Sequence, residues 1–226
     1  MIDELIPAAA CAYSFEDFGE DGLFPQEVAL LAGLPDDRRR ESATVRACAR
    51  QALTELGLPP TPVLPGVRNA PQWPAGVVGS MTHCDGYRAA ALARDSRLLA
   101  VGIDAEPDAP LPSGVLESIA LPSEAAWAAA APGGGGLPHR GRLLFSAKES
   151  VYKTWYPLMR TELEFEDAEI RFTQDPPAAG VAGRSGTFHA RVLRPGRHSD
   201  GRLVSRFDGG WVARHGLIVT AIAVAA

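Results

Sequence analysis

Two stretches of this 226-residue sequence carry residue types suited to chemistry on a phosphorylated ligand. Asp104 and Glu106 close the run Val101-Gly102-Ile103-Asp104-Ala105-Glu106. On a strand, residues two apart share a face, so both carboxylates project to the side opposite Val101 and Ile103. Two hard oxygen ligands are too few for a calcium cage. They suit Mg2+, which is held by one or two carboxylates with waters and substrate phosphates. The second stretch is Phe145-Ser146-Ala147-Lys148-Glu149-Ser150-Val151-Tyr152-Lys153-Thr154-Trp155-Tyr156-Pro157. Lys148 and Lys153 are the only lysines among 22 basic residues, the rest being arginine. A compact ammonium and a planar guanidinium fork are not interchangeable, so the two lysines mark either a position that needs a point charge or no more than an exposed Glu–Lys helix pair. As a helix, the stretch sets Glu149 over Lys153 and Lys148 over Tyr152, four residues apart. One side then offers an acid and a cation together. Pro157 predicts that this helix is short and ends at Tyr156.

Two further groups could complete such a site. Val45, Cys48, Ala49, Ala52, Leu53 and Leu56 repeat at helical spacing, with Gly57 as the stop. At 100° per residue, Arg39, Arg46 and Arg50 fall within about 40° of one another beside that apolar stripe. They form either a solvated flank or a phosphate seat. Gly79-Ser80-Met81-Thr82-His83 reads as a loop whose N–H groups and hydroxyls can receive phosphate oxygens. His83 could donate to phosphate or cap its own loop. Cys84 fits a buried structural thiol, since no supporting His and Asn set accompanies it. His139, His189, His198 and His215 show no ligand spacing, and there is no P-loop, dinucleotide fingerprint or nucleophile elbow. The combination describes a metal-bound polyphosphate ligand.

The elements that must position these groups are short. A strand over residues 10–15 and a helix over 26–31 precede the arginine helix, which Asp36 or Asp37 caps. Residues 58–78 hold six prolines and form an irregular connection in which Arg68 is the one cation. Runs over 87–93 and 98–103, joined by Arg94-Asp95-Ser96-Arg97, predict a hairpin. Helices follow near 113–119 and after Pro122-Ser123-Glu124. The glycine run 133–136 is a flexible loop rather than a phosphate cradle, since no strand precedes it. Strands over 168–173, 187–193 and 211–224 finish the chain, with a mobile loop through 174–186. Each half thus reads as helices with a small antiparallel sheet.

Composition sets outer limits. A hydrophobic content of 46% provides for a core, and the net charge of −5 excludes a generally basic nucleic-acid binder. Residues 1–37 hold nine acids and no Lys, Arg or His, whereas Arg38, Arg39, Arg40, Arg46 and Arg50 crowd the next thirteen positions. A local cationic patch on an acidic protein suits a small anionic ligand. Three scattered cysteines indicate a reducing compartment and no zinc site. The start is acidic where a signal peptide would be basic, and no apolar run approaches the roughly 20 residues that span a bilayer. A cytoplasmic protein without membrane attachment is expected.

The Val101–Glu106 and Phe145–Lys153 stretches, about forty residues apart, resemble the two signature motifs of 4′-phosphopantetheinyl transferases of the Sfp superfamily. Arg38-Arg39-Arg40-Glu41 through Leu53, Trp73-Pro74-Ala75-Gly76 and Gly79-Ser80-Met81-Thr82-His83-Cys84 are similar to the branch containing the enterobactin synthetase component D type and actinobacterial enzymes. The likeness runs from about residue 10 to the C-terminus, with five separated blocks in the family's order.

This resemblance implies an enzyme that moves the phosphopantetheine arm of coenzyme A to a serine of acyl or peptidyl carrier proteins, releasing adenosine 3′,5′-bisphosphate. It implies that Asp104, Glu106 and Glu149 serve Mg2+, with Glu149 either completing the metal shell or taking the serine proton. Lys148 and Lys153 would reach phosphate oxygens. Arg38, Arg46 and His83 would hold the 3′-phosphate, with Thr82 on a neighbouring oxygen and Arg39 a weaker candidate. The implied fold is an α+β pseudo-dimer, residues 1–110 and 111–226, with coenzyme A in the cleft between the halves and no need of a second subunit. The competing enzymatic reading is a Mg2+-dependent hydrolase of the coenzyme A pyrophosphate, and the non-enzymatic one a binding module.

Overall fold

The computed structural model describes residues 1–130, 138–176 and 183–226. The glycine run 133–136 and residues 177–182 of the expected mobile loop lie outside the described residues. In chain order the elements are α1 (Ile2–Leu5), β1 (Ala10–Ser14), α2 (Pro25–Leu31), α3 (Asp36–Glu55), β2 (Val77–Cys84), β3 (Tyr87–Arg94) and β4 (Leu98–Pro107). Then come α4 (Val115–Ile119), α5 (Pro122–Ala129), α6 (Arg140–Met159), β5 (Ala168–Gln174), β6 (Arg184–Arg197), β7 (Leu203–Arg214) and β8 (Leu217–Ala225). The fold is α+β, with a three-stranded antiparallel sheet, β1-β3-β2, and a five-stranded antiparallel sheet, β4-β8-β7-β6-β5.

The two halves repeat one device. Phe24-Pro25-Gln26-Glu27 opens α2 and Leu121-Pro122-Ser123-Glu124 opens α5, each with proline in the first helical turn, where its missing N–H does no harm. Both glutamates are buried. Each accepts the N–H three residues before it, Phe24 at 2.9 Å and Leu121 at 2.8 Å. Each also accepts a distant backbone N–H, Val63 at 2.8 Å and Ile170 at 2.7 Å. Each then takes a cation from the long helix of its own half: Arg50 of α3 reaches Glu27 at 3.0 Å and Lys148 of α6 reaches Glu124 at 2.8 Å. A buried carboxylate is tolerated only when paired and hydrogen-bonded in this way.

Helix α3 lays Cys48, Ala49, Ala52 and Leu53 on the three-stranded sheet, and α6 lays Leu143, Leu144, Ala147, Val151 and Trp155 on the five-stranded one. Between the sheets, Tyr87, Ala89 and Ala91 of β3 meet Val101, Ile103 and Ala105 of β4 and Val219 and Ala221 of β8, with Ile2 and Ile6 filling the same core.

Four expectations need correction. The residues expected as a β3–β4 hairpin belong to different sheets, and β4 pairs instead with β8 along Leu98–Pro107. Residues 79–83 are not a loop but the middle of β2, paired to β3. The run 211–224 is two strands, because His215 and Gly216 both have positive φ, 57° and 73°, and turn β7 into β8. Finally, α6 does not stop at Tyr156. It runs 20 residues through Pro157 to Met159, forgoing one N–H bond, and closes with Arg160 in the left-handed region, its N–H on the Tyr156 carbonyl at 2.9 Å.

Candidate active site

The closest approach of α6 to β4 is made possible by small and hydroxyl side chains. Ser146, Ser150 and Thr154 lie four residues apart on α6, all fully buried. Ser146 and Ser150 hydroxyls reach the Thr220 hydroxyl of β8 at 2.9 and 2.7 Å, and the Thr154 hydroxyl donates to the Ser150 carbonyl at 2.8 Å. Opposite them stands Gly102, where a Cβ would overlap Thr154 Oγ1 and the Ser150 carbonyl oxygen. Strand alternation therefore points Gly102, Asp104 and Glu106 at α6, while Val101, Ile103 and Ala105 enter the core.

From α6, Arg142, Glu149 and Lys153 face this strand end; at 100° per residue they fall within about 40° of each other. Lys153 Nζ lies 2.7 Å from Asp104 Oδ1. Thr82 of β2 supports the same oxygen, its hydroxyl donating at 3.3 Å while accepting the Ala105 N–H at 3.2 Å. Ser80 accepts the Ile103 N–H at 3.2 Å, so β2 grips β4 through hydroxyls rather than through a backbone ladder. The other Asp104 oxygen, Oδ2, is buried with no hydrogen-bond partner. Such an atom invites a cation or a donor that the described residues do not supply. Arg142 holds Glu106 at 2.8 Å and staples the linker carbonyls of Ala109 and Pro110 at 3.2 and 2.7 Å. The Glu149 carboxylate has no hydrogen-bond or ion-pair partner among the described residues and lines the cleft beside Lys153.

Electrostatics follow from this crowding. Burial raises the Glu149 carboxyl above the usual range, Lys153 opposing and Asp104 adding to the rise. Burial also raises Glu106, with Asp104 adding and Arg142 opposing. Burial disfavours the Lys153 charge, but Asp104 and its hydrogen bond, then Glu149 and Glu106, outweigh it and hold the ammonium protonated. Among the described residues no three carboxylate, imidazole or thiol groups converge tightly enough to enclose a metal alone. The orphaned oxygen of Asp104 and the neighbouring carboxyls of Glu106 and Glu149 nevertheless fit a divalent cation whose shell is completed by phosphate and water.

The cleft above this floor has a volume of about 880 Å3 and is walled by both halves, among them Arg46, His83, Arg68, Trp73, Tyr156 and Arg160. Arg46 is buried, its guanidinium on the Val63 and Ser42 carbonyls at 3.1 and 3.0 Å and 3.6 Å from Glu27. Arg38 is 62% exposed and pairs with Glu41 at 2.7 Å; the same oxygen lies 3.9 Å from His83 Nδ1. Burial lowers the His83 pKa, Lys153 and Arg38 adding to the drop against Glu41. Arg39 is occupied by Glu20 and Asp36 at 3.1 and 2.8 Å, and Arg50 by Glu27, so the arginine stripe is largely matched by the acidic N-terminal segment.

Lys148 departs from expectation. All three of its N–H donors are taken, by Glu124 at 2.8 Å and by the Phe165 and Ala168 carbonyls at 2.6 and 2.9 Å, and it is 2% exposed. It is the counterpart of Arg50 and has no donor left for phosphate. Thr82 likewise directs its one proton at Asp104. Sequence reasoning notes Arg68 only as the one cation of the proline-rich connection and does not single out Arg142, although Arg142 lies seven residues before Glu149 and so on its face. A second cavity of about 250 Å3, lined by Val151, Leu163 and Phe165, shares Glu149 and Tyr152 with the main cleft.

Comparison with known proteins agrees with this arrangement. Residues 26–93 match the 4′-phosphopantetheinyl transferase N-terminal domain and residues 100–199 the 4′-phosphopantetheinyl transferase superfamily. A 4′-phosphopantetheinyl transferase of Streptomyces mobaraensis is 52% identical over 230 residues, covering 100% of this chain and 90% of that protein. Those of Nocardia iowensis and Mycobacterium tuberculosis are 46% and 41% identical, covering 100% and 98% of both chains. The chain therefore belongs to the 4′-phosphopantetheinyl transferase superfamily, whose substrate is coenzyme A.

Proposed function

We propose that the protein transfers the 4′-phosphopantetheine arm of coenzyme A to a serine hydroxyl of acyl or peptidyl carrier proteins, with Mg2+ bound, releasing adenosine 3′,5′-bisphosphate. One observation carries the reading of the reaction centre: Asp104, Lys153 and Glu149 meet at the cleft floor, with one buried carboxylate oxygen unpartnered and one carboxylate free.

Asp104 and Glu106 would hold the metal, with Glu149 beside it. When bound, the ion neutralises charge on the pyrophosphate and on the departing nucleotide. Phosphoryl transfer depends on positioning and electrostatics more than on covalent catalysis. Lys153 fixes Asp104 from one side and Thr82 steadies it from the other, so the free oxygen keeps one orientation. Glu149, unpartnered and raised in pKa, accepts the serine proton as the oxygen attacks the pantetheine-bearing phosphorus and the bond to the nucleotide phosphate breaks. Arg46 and His83 of the cleft wall, with the exposed Arg38 near the start of α3, would receive the 3′-phosphate. The small cavity beside Tyr152, where Val151, Leu163 and Phe165 stand with Glu149, Glu162 and Glu164, would take the uncharged pantetheine arm on its apolar side.

Carriers of fatty acid, polyketide or nonribosomal peptide synthesis are the expected clients. The enzyme acts as a cytoplasmic monomer, since one chain builds both walls of its cleft. Incubation with coenzyme A, Mg2+ and an apo carrier should add the phosphopantetheine mass to the carrier. Cleavage of coenzyme A without that gain would favour the hydrolase, in which water replaces serine.

A further inference from the structure

Arg68 is the one basic residue of the proline-rich connection between α3 and β2, and the site described above does not use it. It sits at the tip of a closed loop. Pro65 and Pro71 bridge its base, the Gln72 N–H reaches the Leu64 carbonyl at 2.9 Å, and the Gly66 N–H reaches the Ala70 carbonyl at 2.7 Å. At the tip, Arg68 and Asn69 both adopt left-handed backbone, φ 59° and 58°, two consecutive non-glycine residues where L side chains are disfavoured. Such strain, held in place by surrounding structure, collects at ligand-handling positions. Here it aims Arg68 across the cleft at Glu162, just past the end of α6, and the two form an ion pair between the halves. Arg68 lines the large cleft, Glu162 the small cavity, and Tyr152 both, so the pair spans the junction of the two.

Of the other Lys and Arg side chains lining the cleft, Lys153 is held by Asp104 and Arg46 is buried with two of its N–H groups on carbonyls, whereas Arg160 has no side-chain partner among the described residues. The Arg68–Glu162 pair differs, with side chains 54% and 50% exposed. An ion pair this exposed is weak and readily exchanged, whereas a guanidinium fork matches phosphate with two charge-assisted hydrogen bonds.

We propose that Arg68 is a substrate-binding residue that exchanges Glu162 for a phosphate of coenzyme A, with Glu162 acting as the internal competitor that parks the guanidinium over the empty cleft. This rests on the coenzyme A reading above. The pair makes opposite predictions for its two members, which a merely structural clasp does not.

The test is calorimetric binding of coenzyme A to the full-length protein, comparing wild type with Arg68→Ala, Glu162→Gln and the double variant. Arg68→Ala should weaken binding about tenfold, the loss of one bidentate contact. Glu162→Gln should leave binding unchanged or tighten it by about two- to fivefold, and the double variant should behave as Arg68→Ala alone. With 3′-dephospho-coenzyme A, a loss that persists in Arg68→Ala assigns the contact to the pyrophosphate, and a loss that disappears assigns it to the 3′-phosphate. Wild-type affinity in Arg68→Ala overturns the proposal. Equal weakening by Arg68→Ala and Glu162→Gln also overturns it, leaving a clasp between the halves. Failure of the wild type itself to bind coenzyme A would instead sink the functional reading beneath it.

Discussion

Lys153 Nζ stands 2.7 Å from one oxygen of Asp104, while the other oxygen of that carboxylate is buried without a partner. Both residues lie in the segment matched to the superfamily, residues 100–199, Asp104 on β4 and Lys153 on α6. A lysine on one oxygen fixes the carboxylate and leaves the second free for a cation. Asp104→Asn keeps the shape and removes the charge, so turnover should fall by at least about 10²-fold at saturating Mg2+. Steady-state kinetics on a carrier substrate check this, and near wild-type turnover would contradict the metal role.

Geometry between these residues depends on how closely α6 sits on β4. Gly102→Ala would press a methyl into the Ser150 carbonyl and the Thr154 hydroxyl, and backbone cannot yield as a flexible side chain can. Overpacking of this kind costs about 1–3 kcal/mol. Denaturant unfolding should show that loss, and the remaining folded protein should turn over more slowly because Asp104 has moved relative to Glu149. Unchanged stability and rate would mean that the contact is not tight.

Glu149 and Glu106 give a pH signature in the metal-free protein. Both carboxyls are raised in the fold, mainly by burial and with Asp104 adding to it. A raised folded pKa contributes stability that is present below the unfolded value and lost as pH rises through the folded one. With chelator present, Glu149→Gln should therefore melt above wild type near neutral pH, and the difference should shrink as pH falls through the carboxylate range. Added Mg2+ should stabilise the wild type more than the variant. A difference that is constant across pH would contradict the shared electrostatics of the cluster.

Lys148 predicts a loss of stability rather than of binding. Lys148→Met removes the buried partner of Glu124, which keeps its two backbone N–H bonds but loses its counter-charge. Breaking a buried pair costs about 3–5 kcal/mol, and the retained bonds place this case at the low end. Chemical denaturation measures it. If stability holds while coenzyme A affinity falls, the lysine faces phosphate after all.

Much of this was legible in sequence and the remainder had a physical reason to hide. Asp104, Glu106, Glu149 and Lys153 announce themselves because residue type and spacing carry the chemistry directly. Lys148 shares their motif but, five residues from Lys153, points about 140° away on a helix; only the buried Glu124 of a separate helix explains it. The turn after β3 looked like a hairpin because local signals cannot see that β4 pairs with β8, more than a hundred residues later. The same blindness hid β2, whose hydroxyls replace carbonyls in gripping β4. Pro157 ended the helix on paper, yet tertiary packing of Trp155 and its N–H on the Thr161 carbonyl at 3.1 Å carry α6 past it.

The central claim is that the cleft floor directs a serine, not water, at the coenzyme A pyrophosphate. Intact mass of an apo carrier and released adenosine 3′,5′-bisphosphate should be measured in one reaction, with a carrier whose acceptor serine is changed to alanine alongside. Nucleotide and modified carrier should appear one for one, and both should vanish with the altered carrier. Nucleotide release that continues at the same rate without an acceptor serine would contradict the transferase account.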